Sequence, residues 1–595
     1  MTQKPYLSFL FERKVMKLTL HKLVVTEKPS VAASIAKVIG AVNRNDGYIE
    51  GNGYIVTWCI GHLVSLAPPE SYDEKYKKWD ELPIIPVVWK YEVLPGTKKQ
   101  FGILKKLMNS GKVDTVICAT DAGREGELIF RHVYNEAGCK KPIERLWVSS
   151  LEDEAIKKGF GNLKSGMEYN NLYQSALCRE HADWLVGINA TRHFTVKNGN
   201  KGVISIGRVQ TPTLALIVER DSEIRNFKKG YYYTVEINCG GFKAVSSKYE
   251  NEEQAQVLCN NSNTAFVTDV KKENKVITPP KLYDLTSLQR DANRMLGFTA
   301  QQTLDILQKL YEAKLVTYPR TDSRFLTEDM EDTALAVINT ITEAISFKIN
   351  SKPNIKPVMN NAGVSDHHAI IPTINIKTAD FKAFDDNSVK LLHLISSRLL
   401  SATSPKCEYE STTVILSCAD TDFTAVGKVV KNIGFKEIEK QLVSMIKNKP
   451  EDKEDNISIL PDIIKGVEYA VNAKVIKHES QPPKPFTEDT LLSAMEKAGS
   501  TDFVDNCYER KGLGTPATRA NIIETLIKRG YIERKGKQLI STDKGAKVVY
   551  SVPEVLRSAK MTAEWENELS QIARGKADSK AFMKNTENLV KSILY

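Results

Sequence analysis

Paired cysteines are missing from this chain. Nine cysteines are scattered through 595 residues with no Cys-x-x-Cys among them, which argues against a zinc ribbon and against a disulfide framework, and points to a reducing cytoplasm. Long apolar runs are missing too. None approaches a membrane span, and YLSFLF at residues 6–11 is too short for a signal peptide and has an acidic residue just after it. No Gly-x-x-x-x-Gly-Lys-Ser/Thr phosphate loop occurs, so ATP is not an expected co-substrate. There is no internal repeat and no low-complexity tract. Charge of one sign is also scarce. The 83 basic residues offset 73 acidic ones, and the net +10 fits a polyanion partner only weakly, since a solvated charged surface accounts for most of it. At this length one core cannot serve, and several domains are expected.

What is present begins with LVTYPRTDS, residues 315–323. Pro319 restricts the residue before it to extended conformations, which biases Tyr318 out of a helix. Arg320 lies two residues on, which in extended chain puts it on the same face. A phenol beside a guanidinium suits attack on a phosphodiester, because the cation stabilises a phenolate and grips phosphate in fork geometry. Most of the 22 tyrosines must be packing residues, so Tyr318 needs a second site to support it.

That site lies near the other end. HKLVV (21–25) is a short apolar run leading into Thr26-Glu27-Lys28-Pro29-Ser30, and VAASIAKVIG follows with helical spacing, Ser30 placed as N-cap and Gly40 as stop. The pattern returns at 116–130, where VICA is a strand and TDAGREGELIF a turn into a helix, helped by Gly123 and Gly126. Glu27 and Asp121 therefore both stand just past the carboxyl end of a strand, the edge of a parallel α/β sheet where ligands bind. Carboxylates there suit Mg²⁺, a hard cation held by one or two of them plus water and phosphate. Glu125 can add to the set, or serve only as an acidic residue in a helix's first turn.

VTEKPS, TDAGREGE and LVTYPRTDS, in this order and spacing, resemble the bacterial topoisomerase III branch of the type IA DNA topoisomerases. The likeness runs from about Leu23 to beyond Gly530 and includes IGH (60–62), NLYQSALCREHADWLVGINATR (171–192), SIGRVQTPTL (205–214), PPKLYDLTSLQ (279–289), SDHHAIIPT (365–373), PPKPFTEDTLLSAMEKAG (482–499) and GLGTPATRANIIETLIKRGYI (512–532). The resemblance implies a multidomain α/β plus α and β fold, a toroid with an N-terminal Toprim domain whose sheet is parallel. It implies five parts: an extension over 1–20, disordered or the product of an upstream start with Met16 as the true one; the Toprim domain over 21–160; a helical DNA-binding base over 161–230 and 482–595; a β-rich arch over 231–280 and 405–481; and a helical domain over 281–404 carrying Tyr318. From composition alone, KKENKVITPPK (271–281) and KHESQPPKPF (477–486) read as linkers. Residues 231–270 and 408–475 read as strands, and 285–316 as helix ending where the Tyr318 segment begins.

The implied chemistry is cleavage and rejoining of single-stranded DNA without ATP. Tyr318 attacks a phosphorus and displaces a 3′-oxygen, leaving a 5′-phosphotyrosine. A free phenol has a pKa of about 10, so the site must favour phenolate or accept its proton. Arg320 and Lys28 are the expected transition-state cations, Glu27 the proton donor to the leaving oxygen, and His367 corresponds to a histidine close to the tyrosine. Glu27, Asp121 and Glu125 are the expected Mg²⁺ ligands. Many relatives carry Asp-x-Asp-x-Glu where this chain has Gly123 at the middle position, so one ion is expected. His62, Arg179, Arg192, Ser205, Ile206, Gly207, Arg208, Val209 and Gln210 fall in motifs that line the single-strand groove in the family. Thr515, Thr518 and Arg519 begin a helix whose N-terminus could meet phosphate, though capping explains the threonines equally well. The expected protein is a monomer of the cytoplasm, on nucleoid or plasmid, relaxing negative supercoils and decatenating. Its expected partners are single-stranded DNA, a RecQ-type helicase and a single-strand-binding protein.

Two other functions fit the motifs less well. A Toprim nuclease or primase would explain Glu27 and Asp121 and leave Tyr-Pro-Arg-Thr-Asp-Ser without a purpose. A non-catalytic DNA clamp would have altered the tyrosine or the glutamate, and neither is altered.

Overall fold

The computed structural model describes residues 20–364, 367–447, 459–498 and 512–595. The proposed extension, and Ser365 and Asp366 of the SDHH motif, lie outside those residues. Two compact units make up the chain. Of the described residues, the first contains 20–77, 86–178 and 572–579, and the second contains 78–85, those between 179 and 571, and 580–595.

In the first unit the apolar run is β1 (His21–Thr26), followed by helix α1 (Pro29–Ile39) and the strands β2 (Asn43–Asn45), β3 (Tyr48–Gly51) and β4 (Tyr54–Trp58). After the small hairpin β5 (Val64–Leu66) and β6 (Tyr91–Val93) come α2 (Lys98–Met108), β7 (Val113–Ala119), α3 (Arg124–Glu136), β8 (Ile143–Arg145), α4 (Asp153–Gly161) and β9 (Lys164–Ser165). The main sheet runs β2-β3-β4-β1-β7-β8-β9. Its centre, β4-β1-β7-β8, is parallel, with Leu23 paired to Ile55 on one side and Val116 on the other. Such strands are covered on both faces and so carry continuous apolar runs; Leu23, Val24, Val25, Val116, Ile117 and Cys118 are all fully buried.

Ser30 is not the N-cap of α1. Lys28 holds that position and Pro29 begins the helix, because proline's fixed φ suits the first helical residue and its missing N–H costs nothing there. The Thr26 hydroxyl donates to the Lys28 carbonyl at 2.9 Å and ties the turn to its strand. Gly40 does end the helix, at φ 79°.

The second unit takes in α5 (Asn170–Lys197) from Arg179 onward and then α6 (Gln210–Arg225). A sheet of order β15-β12-β13-β14-β11-β10-β16 follows, built from β10 (Tyr231–Asn238), β11 (Lys243–Ser246), β12 (Thr264–Ile277), β13 (Cys407–Cys418), β14 (Thr421–Asn432), β15 (Glu468–Ala470) and β16 (Asn472–Glu479). Helix α7 (Glu252–Asn261) packs Ala255 and Leu258 onto Val235, Ile237, Val267, Val414, Leu416 and Phe423. Three expectations change here. The stretches read as strand also contain α7 and, later, a helix over Lys436–Lys447. Lys271–Ile277, read as linker, continues β12 through a ladder to β13 that satisfies its backbone. Lys477–Glu479 likewise belongs to β16. Partner strands, invisible in local composition, decide all of these.

Between the two halves of that sheet lie α8 (Leu285–Leu296), α9 (Ala300–Glu312), α10 (Glu331–Ala344) and α11 (Asp386–Ala402), and α12 is Lys436–Lys447. The C-terminal part holds β17 (Phe486–Thr487), α13 (Glu488–Lys497), α14 (Pro516–Lys528), the hairpin β18 (Ile532–Lys535) and β19 (Gln538–Ser541), α15 (Asp543–Ser551), and helices over Glu554–Arg557, Ala559–Ala573 and Ser579–Leu594. The stretch read as helical thus also holds a three-stranded sheet, β17-β19-β18. No helix among the described residues is long and apolar enough to cross a membrane.

Candidate active site and strand-binding residues

Glu27 and Asp121 stand at the same edge of one sheet. Their strands are parallel neighbours with Thr26 opposite Ala119, so the residues that follow emerge side by side. Glu27 is buried, while Asp121 and Lys28 are half-buried. Two carboxylates on adjoining strand ends match a hard cation that takes few protein ligands and completes its shell with phosphate and water. No cluster of three metal-ligating side chains occurs among the described residues. Glu125, the third expected ligand, is exposed in the first turn of α3 and meets His62 at 2.6 Å. His62 is thereby at this edge as well.

The backbone beneath Asp121 is held by a residue that sequence reasoning missed. Arg145, fully buried at the end of β8, donates through Nη1 to the carbonyls of Cys118 (3.1 Å), Thr120 (2.8 Å) and Leu146 (2.8 Å), and through Nη2 to Asp121 O at 2.8 Å. Its charge faces buried Glu127 at 3.2 Å, which also pairs with Arg131 at 2.8 Å. The Thr120 hydroxyl donates to Gly126 O at 2.7 Å. Gly126 is required at its place: a Cβ there would lie 2.0 Å from Asp121 O. Glycine here serves close approach of helix to loop, while Gly123, in extended backbone, is the N-cap of α3. Burial pushes the neighbouring Cys118 thiol up to about 12, so it stays protonated at neutral pH.

In the second unit Tyr318 lies in non-helical chain beyond α9. Residues 315–321 run beside 367–373. Thr317 N–H donates to Ile371 O (3.0 Å) and its hydroxyl to Ala369 O (3.1 Å), Thr373 N–H donates to Leu315 O (2.9 Å), and the Thr321 hydroxyl donates to His367 O (3.0 Å). This lacing lays the His367 ring on Tyr318, centroids 4.0 Å apart and planes 28° from parallel, while Tyr311 meets its edge at 5.6 Å. Tyr318 is buried and Arg320 half-buried.

His368 turns the other way and its Nδ1 donates to Ala369 O at 2.9 Å. Burial holds its pKa below the ordinary histidine value, as it does those of His393 and His193. A histidine kept neutral by folding supports the fold fully above the unfolded value, about 6.5, and that support is lost as pH falls from there toward the folded value. Thermal unfolding is therefore expected to drop below pH about 6.5, and His368→Asn is expected to flatten the drop; an unchanged profile in that variant would count against this residue.

The family-derived strand-binding residues separate into buried and accessible ones. Arg208 is buried. Its Nε donates to Asp183 at 2.7 Å and its Nη2 to Glu566 at 3.1 Å, the Trp565 ring lies 5.4 Å from its centre, and Arg179 approaches the same two carboxylates at 3.8 and 3.6 Å. Burial opposes the charge on Arg208, but Asp183 and Glu566 outweigh it and raise its pKa. Arg519 is buried too, donating to Leu513 O (3.0 Å) and the Thr286 hydroxyl (2.8 Å). Thr518 closes a capping box with Thr515 at the start of α14. Arg192 is buried as well, donating to Lys78 O at 3.3 Å and lying 5.5 Å from the Trp79 ring. Ser205 N–H donates to the Tyr531 hydroxyl (2.9 Å), buried Ile206 N–H to Thr191 (3.0 Å) and Gly207 N–H to Thr211 (3.1 Å), Val209 caps α6, and Gln210 at its first position accepts from Arg529. Glu566→Ala would leave Arg208 buried beside a single partner and is expected to cost about 3–5 kcal/mol, measured in denaturant unfolding; Glu566→Gln, which keeps an acceptor, is expected to cost less.

The sequence profile described as Toprim domain matches residues 22–151, and that described as DNA topoisomerase matches residues 167–584. The chain is 42% identical over 588 residues to DNA topoisomerase 3 of Bacillus subtilis (strain 168), covering 95% of this chain and 80% of that protein. It is 42% identical over 601 residues to DNA topoisomerase 3 of Bacillus licheniformis, covering 96% and 81%. Among solved structures it superposes on full-length topoisomerase I from Thermotoga maritima with a TM-score of 0.73 and 25% identity, covering 96% of this chain and 90% of that one.

Proposed function

Since the chain belongs to the type IA DNA topoisomerases, as a DNA topoisomerase of the topoisomerase 3 kind, we propose that Tyr318 is the residue through which it breaks and rejoins a DNA strand. The observation that supports this most is the lacing of residues 315–321 onto 367–373, which holds one tyrosine outside any helix with its ring against His367 at 4.0 Å. In the forward step the Tyr318 hydroxyl gives up its proton to solvent, the phenolic oxygen bonds to phosphorus and the bond from phosphorus to the 3′-oxygen breaks. The bond energy is kept in the 5′-phosphotyrosine, so no ATP is needed. Arg320 and Lys28 stabilise charge on the phosphate oxygens, Glu27 gives the leaving 3′-oxygen its proton and takes it back on rejoining, and His367 sets the ring of the nucleophile.

The Toprim domain is a metal-binding domain in topoisomerases. Here Asp121, and Glu27 once it has given up its proton, would hold Mg²⁺, with Glu125 available if it leaves His62. Mg²⁺ supplies charge that orients and neutralises phosphate. Arg145 and Gly126 keep the Asp121 backbone where it is. Arg192, Arg208 and Arg519, all buried, act on DNA indirectly, by bracing the walls of the groove, whereas Arg179 and Gln210 are the expected direct contacts. Relaxation and decatenation follow if a second strand passes the break, and the single strands would be supplied and held by a RecQ-type helicase and a single-strand-binding protein, in the cytoplasm.

Relaxation of a negatively supercoiled plasmid tests the roles. Activity is expected without ATP and to be abolished by EDTA. Asp121→Asn is expected to raise the Mg²⁺ concentration for half-maximal activity, and Glu27→Gln to lower the maximal rate about 10²–10⁴-fold. Full relaxation in EDTA would contradict the metal assignment.

A further inference from the structure

The three consecutive tyrosines 231–233 begin β10, where the chain enters the seven-stranded sheet from α6. The strand-binding motif at 205–210 ends at the start of α6, and that helix of 16 residues is about 24 Å long. The entry point is fixed by a reciprocal pair: Gly230 N–H donates to the Ser480 hydroxyl and Ser480 N–H to Gly230 O, both 2.8 Å. Tyr231 is half exposed and Tyr232 partly so. Each ring carries a cation. Lys477 Nζ lies 4.3 Å from the Tyr231 centroid and Lys248 Nζ 4.6 Å from that of Tyr232. On Tyr232 the His478 ring also stacks, at 4.7 Å and 9°.

Tyrosines on adjacent positions point to opposite faces of the sheet, so the two rings flank β16, an edge strand. Lys228 and Lys229 precede them in sequence. The carboxylates nearby are Glu479, bonded to Lys229 at 2.5 Å, and Glu252 beside Tyr233. Partly exposed rings flanked by cations suit a flexible polyanion with flat bases: Tyr231, half exposed with Lys477 against it, offers stacking surface, Tyr232 with His478 already stacked on it offers its edge, and the ammonium groups meet phosphate. Tyr231 shares the face that Tyr233, Val235 and Ile237 fill further along but is half exposed at the strand's start, and Tyr232 stands on the opposite face.

We propose that Tyr231 and Tyr232, with Lys477 and Lys248, form an accessory platform for single-stranded DNA at the root of the arch sheet, separate from the groove motif. The inference rests on the reading of this chain as a binder of single strands. The platform takes the part of a strand that extends beyond the groove, so it matters for long strands and not for short ones.

The test is equilibrium binding of fluorescent oligothymidylates, one short enough for the groove alone and one of about 30 nucleotides. The Tyr231→Ala/Tyr232→Ala protein is expected to bind the long strand about tenfold more weakly and the short one like wild type. The Tyr231→Phe/Tyr232→Phe protein keeps both rings and is expected to match wild type on both. Lys248→Ala/Lys477→Ala is expected to weaken the long strand and to lower its salt slope by about one to two. Equal affinity of the alanine pair and wild type for the long strand overturns the platform, as does a loss confined to duplex DNA. Absence of binding by wild type to either strand overturns the underlying reading instead. Should the alanine pair fail to fold, the lysine pair decides by the same length comparison.

Discussion

Tyr318→Phe is expected to lose plasmid relaxation by at least about four orders of magnitude, while remaining folded at the assay temperature. The phenyl ring keeps both aromatic contacts, the stack on His367 at 4.0 Å and the edge of Tyr311 at 5.6 Å, and the lacing of the segment is made by Thr317, Thr321 and the backbone. Only the hydroxyl goes. Strand binding, measured by anisotropy, should therefore stay within about twofold, because the groove residues are untouched. A protein that relaxes DNA without this hydroxyl would need another nucleophile, and a protein that unfolds would show that the hydroxyl is structural.

Gly126→Ala is the second change with a large expected effect. The added methyl would meet the Asp121 carbonyl carbon, oxygen and nitrogen at 2.9, 2.0 and 3.0 Å, all backbone, and that carbonyl is already fixed by Arg145. Neither side can yield cheaply, so α3 or the Asp121 loop must shift. Overpacking of this kind costs about 1–3 kcal/mol, and a displacement near 1 Å of a residue that positions substrate can cost about 10²-fold in rate. DNA cleavage is expected to fall about 10²-fold, with a raised Mg²⁺ requirement, and with strand binding retained. Wild-type cleavage in the variant would mean that the loop tolerates movement and that Asp121 need not sit where it does.

The local signals in the sequence were those with a steric cause. Pro319 puts Tyr318 outside a helix, Gly40 ends α1, and the short apolar runs HKLVV and VICA read as the strands β1 and β7. From these came the two chemical centres, because strand ends and proline-broken turns are short-range properties. What depended on distant partners did not show. β12 runs on through Lys271–Ile277 only because β13 pairs with it, and no composition near residue 274 reveals that. Arg145 looks like any arginine after a strand, yet it holds four carbonyls. Glu566 lies in an unremarkable helix some 350 positions from Arg208, and only folding brings them together. The same limit applies to the groove motif, where sequence gives the residue types but not which guanidinium is spent on internal carboxylates. Ser30 was misplaced for a simpler reason: a proline at the first helical position outranks a capping serine after it.

The central claim is a covalent bond between Tyr318 and a 5′-phosphate. The direct measurement is to mix wild-type protein with single-stranded DNA labelled at either end, quench in SDS, digest with protease and identify the DNA-linked peptide by mass spectrometry. The account predicts one adduct, on the 5′-phosphate side of the break, carried by the peptide that contains Tyr318. An adduct on a 3′-phosphate or on another residue, or free cut ends with no adduct in the presence of Mg²⁺, would contradict it, and the last result would favour a metal-dependent nuclease.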